Sequence, residues 1–259
     1  MKKILAIFTV LSLIASSCSS EENSNSEEKL ILPKTISYVY PNIYLGTNTK
    51  STLSYDGNKI VSSVDENSKT IFTYTGDVIT KQEVFDVDLQ GKETKTDEAI
   101  YTYENGKLKT RIFKEGISSQ YADGEYIQKA VYTHSSNGTI SYINYQVDKI
   151  TKVETKDSEG VLTYENGNLV KHKIGNTTYV YEYDAKNNPL KNVLGFNLLL
   201  NEISAIGRNN VVKTTFNSSQ NSNTGIYLTT YIYSDKDYPT KQTSYSSGTS
   251  IEYEIEYTY

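Results

Sequence analysis

The sequence has no tryptophan, two histidines, one cysteine and one methionine among 259 residues. The methionine is Met1 and the cysteine is Cys18, so the body of the chain carries neither thiol nor thioether. That excludes a disulfide framework and thiolate metal sites there, and leaves stability to packing and strand pairing. His134 and His172 stand in no His-Glu-x-x-His or comparable spacing and read as structural or surface side chains. Gly-x-Ser-x-Gly, Gly-x-Gly-x-x-Gly and Walker A segments are missing too, which leaves paired carboxylates as the main enzymatic option. Asp86, Asp88, Glu93, Asp97, Glu98, Glu252, Glu254 and Glu256 supply carboxyls, all on polar faces or loops where solvated charge is the default. Asp86-Val87-Asp88 and Asp235-Lys236-Asp237 are too short for an EF-hand loop. No catalytic residue, metal or cofactor is therefore expected. There is no basic excess: the net charge of −5 becomes −7 if Lys2 and Lys3 leave with a leader, which argues against nucleic acid as a partner.

Targeting information stands at the start. Lys2-Lys3 form a basic n-region, and residues 4–14 an apolar stretch too short to span a bilayer as a permanent helix. Ala15-Ser16-Ser17-Cys18 resembles a bacterial lipobox, with Ala15 where leucine is usual. Residues 1–17 are expected to be a lipoprotein signal peptide and Cys18 the lipid-attachment residue. Each CH₂ buried by such an anchor contributes about 0.8 kcal/mol. An ordinary leader cut after Ala-x-Ser would give the same N-terminus with an unlipidated thiol. Residues 19–28 are polar and acidic without one apolar side chain, so 18–34 reads as a flexible tether. Ser19-Ser20-Glu21-Glu22 resembles the acidic export signal of Bacteroidetes surface lipoproteins. The expected location is the outer membrane, held through Cys18, with the domain facing the cell exterior. A polar tether with no export role is the alternative.

What the sequence has in surplus is tyrosine, 24 residues of it, in a recurring pattern. In IYTYENGKLKTRIF (100–113), Asn105-Gly106 can both take positive φ and suit a two-residue type I′ turn. That turn sets Glu104 opposite Lys107, Tyr103 opposite Leu108, Thr102 opposite Lys109 and Tyr101 opposite Thr110. Tyr101, Tyr103 and Leu108 share one face, and Thr102, Glu104, Lys107 and Lys109 the other, as in a sheet with one wet side. Related cores lie at 53–60, 72–79, 132–140, 162–169 and 181–190, with a weaker copy at 231–240. Their central aromatics are Tyr55, Tyr74, Tyr103, His134, Tyr164, Tyr183 and Tyr233. Such self-similarity marks an array of hairpins, each burying its face by pairing with neighbours. The expected fold is all-β: one long antiparallel meander of repeated hairpins over 35–259, curved or barrel-like.

The pattern breaks at 190–206, where Leu190, Val193, Leu194, Phe196, Leu198, Leu199, Leu200, Ile203 and Ile206 crowd between polar flanks. A short apolar helix is expected there. It would serve as a plug over the open end or concave side of the sheet, or as a pocket wall. Residues 217–225 read as a polar loop. The chain finishes on IEYEIEYTY (251–259), whose alternation sets Glu252, Glu254 and Glu256 on one face and Ile251, Tyr253, Ile255 and Tyr257 on the other. That strand is expected to close or edge the sheet.

The Tyr-x-Tyr-Asp/Glu-x-Gly-x-Leu units resemble the tyrosine–aspartate repeats of Rhs-type proteins. Cys18 with its leader, the copies at 101–108 and 162–169, and YEYDAKNNPLKNVLGFNLLL (181–200) together resemble a family of uncharacterised Bacteroidetes lipoproteins described as having a porin-like fold. In that family an aromatic is common where Leu190 follows Pro189 here. The resemblance implies a curved, barrel-like antiparallel sheet and brings no activity with it. A membrane channel is not implied, since a lipid-facing apolar band is at odds with charged wet faces. A tyrosine ring with its polar tip suits either the sheet's own packing layer or the stacking of sugars and proteins. On the second use, Tyr101, Tyr103, Tyr181 and Tyr183 are candidate ligand-binding residues. The expected function is a surface-anchored, non-enzymatic lipoprotein that binds an extracellular glycan or protein. The alternatives are a structural envelope lipoprotein without a small ligand, and a carboxylate-dependent glycan-active enzyme. The enzyme needs two carboxyls converging at about 5–10 Å.

Overall fold

The computed structural model describes residues 30–200, 207–219, 223–246 and 250–259. The expected leader, Cys18 and Ser19-Ser20-Glu21-Glu22 lie outside the described residues, as do Ile203 and Ile206. The chain forms sixteen strands: β1 (Thr35–Val39), β2 (Thr49–Asp56), β3 (Lys59–Val64), β4 (Ser68–Thr75), β5 (Val78–Val87), β6 (Glu93–Glu104), β7 (Lys107–Glu115), β8 (Tyr126–His134), β9 (Thr139–Val147), β10 (Glu154–Glu165), β11 (Asn168–Ile174), β12 (Thr177–Tyr183), β13 (Val211–Ser218), β14 (Asn223–Tyr233), β15 (Pro239–Ser246) and β16 (Ser250–Thr258). Each pairs antiparallel with its sequence neighbours, and β16 returns to β1, so the meander is a closed barrel without a free edge. Tyr38 faces Ile255, and Ile36 faces Tyr257, across the seam. Strands β13 and β14 take up both ends of the segment expected as a polar loop at 217–225.

Tight turns occupy one end of the barrel. Asn105-Gly106 and Asn166-Gly167 have φ of 52° and 73°, and 52° and 82°, as type I′ geometry requires. The expected register holds for Glu104 with Lys107 and for Tyr103 with Leu108, then shifts. Thr102 pairs with Thr110 and Tyr101 with Arg111, leaving Lys109 as the extra residue of a β-bulge. The same shift follows Tyr55, Tyr74, Tyr164, Tyr183 and Tyr233. A bulge bends its strand and increases the twist, so repeating one in successive hairpins curls the meander toward closure.

Beside these bulges the ladder to the next hairpin stops short. Pairing of β5 with β6 begins at Lys81, of β7 with β8 at Thr110 and of β11 with β12 at Lys171. The carbonyls of Ile79, Leu108 and Leu169 lie beyond those pairs. The central aromatic of the adjoining copy meets each one. The Tyr103 hydroxyl donates to the Ile79 carbonyl and that of Tyr183 to Leu169, both at 2.7 Å, and His134 Nε2 lies 2.7 Å from the Leu108 carbonyl. Tyr231 reaches Val211, and the last residue, Tyr259, reaches Pro239, each at 2.9 Å. His134 is therefore a structural histidine that takes a tyrosine's place. Burial raises the Tyr103 and Tyr183 hydroxyls above their ordinary pKa, so they remain donors.

Of the segment expected as a short helix over 190–206, residues 190–200 are described. Its described part holds one 3-10 turn, Phe196–Leu198. Side-chain-to-backbone bonds favour irregular structure here over a helix. Asn188 Oδ1 accepts from the Leu190 N–H, and Asn192 Nδ2 donates to the Ile31 carbonyl and the Tyr238 hydroxyl. Gly195 has φ 73°, and a Cβ there would stand 2.8 Å from the Asp77 carbonyl oxygen. Leu194 donates to the Asn58 carbonyl and accepts from Tyr74. The segment is thus bound to the turns of two hairpins. Val193, Leu199 and Leu200 join Ile60, Ile79, Leu108, Leu162 and Leu169 in one buried cluster, which makes the segment a plug at the turn end.

The outer wall is charged in mid-strand. Glu83 lies 2.8 Å from Lys81 and 2.7 Å from Lys95, and Glu98 lies 3.2 Å from Lys114. Hydrogen bonds from Lys81 and Lys95 hold the Glu83 carboxyl below its ordinary pKa. A lysine facing lipid at the bilayer midplane costs about 2–4 kcal/mol, so this wall is suited to water.

Tyr164 is the exception among the central aromatics, since its buried hydroxyl meets no partner. Tyr103→Phe should therefore cost about 1–3 kcal/mol by orphaning the Ile79 carbonyl, whereas Tyr164→Phe should be neutral or slightly stabilising. Urea unfolding of the two variants measures the contrast; equal losses would show that the hydroxyl-to-carbonyl bond contributes nothing.

Candidate functional site: a tyrosine-lined chamber

The barrel interior is unevenly filled. Leu53, Ile60, Ile79, Tyr101, Leu108, Tyr132, Tyr142, Leu162 and Leu169 pack β2–β11 into a solid core together with the plug. From there a chain of rings follows the inner wall. Tyr132, Tyr142, His172, Tyr179, Phe216 and Tyr227 lie at successive centroid distances of 6.2, 5.8, 5.8, 6.2 and 5.9 Å. Two glycines make room for it. A Cβ on Gly160 would collide with the Tyr142 ring, and one on Gly225 with Phe216. Because β10 presents no side chain there, Tyr142 crosses it to share a 2.7 Å hydrogen bond with His172 Nε2 on β11. Burial lowers the His172 pKa below the ordinary 6.5 and keeps the ring neutral at pH 7.

The chain of rings leads into a chamber of about 330 Å³, within the range of small-molecule sites. Tyr179, Tyr181, Tyr227, Tyr231 and Tyr253 line it. Thr214, Gln242, Ser244 and Glu252 add polar groups. A smaller hollow of about 160 Å³ shares Val211, Tyr231, Gln242 and Tyr253 and extends beneath the plug at Asn188, Pro189 and Leu190. Gln242 is held in place: its Oε1 accepts from the Tyr257 hydroxyl and its Nε2 donates to Ser244, both at 3.2 Å. The hydroxyls of Tyr179, Tyr181 and Tyr227 bond to no described residue. Burial raises the Tyr181 hydroxyl to about 12, so it stays protonated. Comparable hollows of about 350 and 360 Å³ lie against the outer wall near Glu159 and at the rim near Asn67, each with one tyrosine in its lining.

Of the candidate tyrosines, Tyr181 alone lines this chamber. Tyr101 is 2% exposed in the core, with its hydroxyl 2.8 Å from Gln82 Oε1. Tyr103 and Tyr183 spend their hydroxyls on backbone carbonyls. Sequence reasoning missed Tyr179, Tyr227, Tyr231 and Tyr253. The signal for Tyr179 was its spacing of two from Tyr181 on a strand without inward leucine or isoleucine. The carboxylates are dispersed: Glu93 pairs with Lys69, Glu98 with Lys114 and Glu254 with Lys241 on the outer wall, and Asp88 caps its own turn. Glu252 is the one carboxylate in the chamber lining. It had been expected outside with Glu254 and Glu256; the correction follows from a bulge in β16. Among the described residues, no group of three or more His, Cys, Asp or Glu is placed to hold a metal ion.

No protein-family model and no curated protein matches this sequence. Solved structures do. A porin-like protein from Bacteroides vulgatus superimposes with a TM-score of 0.60 at 15% identity, covering 89% of this chain and 99% of its own. The chain has the porin-like fold. A second porin-like protein, from Bacteroides uniformis, gives a TM-score of 0.42 at 9% identity, over 87% of this chain and 97% of its own. A protein of unknown function from Bacteroides fragilis gives 0.19 at 9%, over 70% and 81%. At such identities the likeness is one of architecture.

His172 yields a pH test. Its folded pKa lies below the unfolded 6.5, so the unfolded chain binds the proton first as pH falls. The contribution is complete above 6.5 and is lost as pH drops from there toward the lowered folded value. His172→Gln should flatten the stability-versus-pH curve in that window. An unchanged slope in urea titrations would mean that His172 is not held neutral.

Proposed function

We propose that the protein is a lipoprotein, anchored through Cys18 at the outer-membrane surface, whose barrel binds an extracellular glycan in the tyrosine chamber without cleaving it. The observation that carries this is the lining itself. Ring faces suit the C–H faces of a sugar, while the unspent hydroxyls of Tyr179, Tyr181 and Tyr227, with Ser244 and Gln242, suit its hydroxyl groups. The charged outer wall supports an anchored domain in water over one crossing the bilayer. The plug and packed core occupy the bore at the turn end. Residues 1–17 then form the leader. The tether from Cys18 runs to about residue 30, since Pro33 is fully buried and accepts a bond from Tyr55.

A protein partner is the second reading, favoured by the far-end loops. Ile43, Leu89 and Ile150 stand 83%, 93% and 83% exposed at that rim.

A glycan array probed with the mature protein, with released fragments analysed in the same wells, tests the proposal. Saturable binding without fragments is expected. Tyr227→Ala should weaken binding about 2–10-fold, as lost aromatic contacts do. Its melting temperature should barely move, because Tyr227 is 44% exposed. Silence across the array, or cleavage, would overturn the proposal.

A further inference from the structure

The chamber's charge is set by a single backbone irregularity. Period-two alternation would send Glu252, Glu254 and Glu256 to the outer wall together. The β15–β16 register shifts instead: Tyr245 pairs with Ile251 and Ser244 with Tyr253, which leaves Glu252 as the extra residue of a bulge. Bulges re-aim side chains, and Glu252 lines the chamber beside Tyr253. Glu254 stays on the outer wall, 2.7 Å from Lys241 and 3.2 Å from the Thr243 hydroxyl.

Glu252 also lacks a lysine partner of the kind that seven glutamates on the outer wall have. Glu83, Glu93, Glu98, Glu154, Glu159, Glu182 and Glu254 each sit within 4.0 Å of a lysine nitrogen. Among the described residues Glu252 has no such partner, and neither the chamber nor the hollow beneath it is lined by a lysine or arginine. The result is one uncompensated carboxylate among tyrosine rings. Ring faces attract cations through their quadrupole, and a carboxylate accepts charge-assisted hydrogen bonds from them. The same two features repel an anionic sugar.

We infer that the chamber selects a glycan carrying a protonated amine, an amino sugar without its acetyl group, and that Glu252 determines this specificity. The inference rests on the glycan reading above. In the bound state the sugar ring stacks on the tyrosines and its ammonium group meets the Glu252 carboxylate. A neutral sugar keeps the stacking and loses the charge contact; a uronate brings a second negative charge toward Glu252 and is repelled.

Calorimetric titration of the mature protein with oligosaccharides of glucosamine, N-acetylglucosamine and galacturonate, matched in length, decides this below the pKa of the amine. The glucosamine oligomer should bind about tenfold tighter than the acetylated one, with the uronate weakest. Glu252→Gln should bring the first two within about twofold of each other. Glu254→Gln, on the outer wall, should leave the preference intact. Binding without preference, or a preference that survives Glu252→Gln, overturns the selection and leaves the glycan chamber standing. Silence from all three overturns the selection as well, and the array then judges the glycan reading separately.

Discussion

The barrel depends on a hydroxyl that reaches from one hairpin to a carbonyl on its neighbour. Each post-turn bulge adds the curvature that closing a sheet requires, and beside it the ladder between hairpins stops before the strand does. A buried carbonyl left without a donor costs about 1–3 kcal/mol. Tyr103, Tyr183 and Tyr231 remove that cost at three seams, and Tyr259 does so where β16 ends. Phenylalanine would fill the same space without supplying a proton. This accounts for a chain rich in tyrosine, and for a histidine at position 134, where Nε2 reaches the same acceptor.

That economy divides the interior. On β2–β11 the hydroxyls of Tyr55, Tyr74 and Tyr103 are spent on the backbone, and Leu, Ile and the plug complete a solid core. Around the chamber on β12–β16, Tyr179, Tyr181 and Tyr227 keep their hydroxyls. Gly160 and Gly225 link the two halves by letting Tyr142 and Phe216 lie across neighbouring strands. The chamber is the region that the core does not reach, and the hydroxyls of Tyr179, Tyr181 and Tyr227 remain available there.

Much of this was legible in the sequence because it is local. Asn105-Gly106 announced its turn, the faces of Tyr101, Tyr103 and Leu108 followed from alternation, and the apolar run at 190–206, with Gly195 and Gly207, announced a break in the meander. What was not legible is what depends on neighbours. Nothing within 100–113 says that Lys109 will be a bulge, because the strain that selects it belongs to closure of the whole sheet. The apolar run at 190–206 looked helical since hydrophobicity was counted without Asn188, Asn192 and Gly195, whose backbone bonds compete with a helix. Glu252 was misassigned for the same reason as Lys109: alternation holds only until an extra residue is inserted, and one insertion turns a wall glutamate into a chamber glutamate.

The shared architecture with a porin-like protein therefore describes how strands close, not what they enclose. A transmembrane barrel presents apolar residues outward to lipid and polar residues inward to water. Here lysine–glutamate pairs stand on the outer wall, Leu, Ile and aromatic rings pack the core, and a plug hydrogen-bonded to the Asn58 carbonyl occupies the turn end. The plug sits at the end where the chain enters, and Tyr179, Tyr227 and Glu252 line a separate chamber.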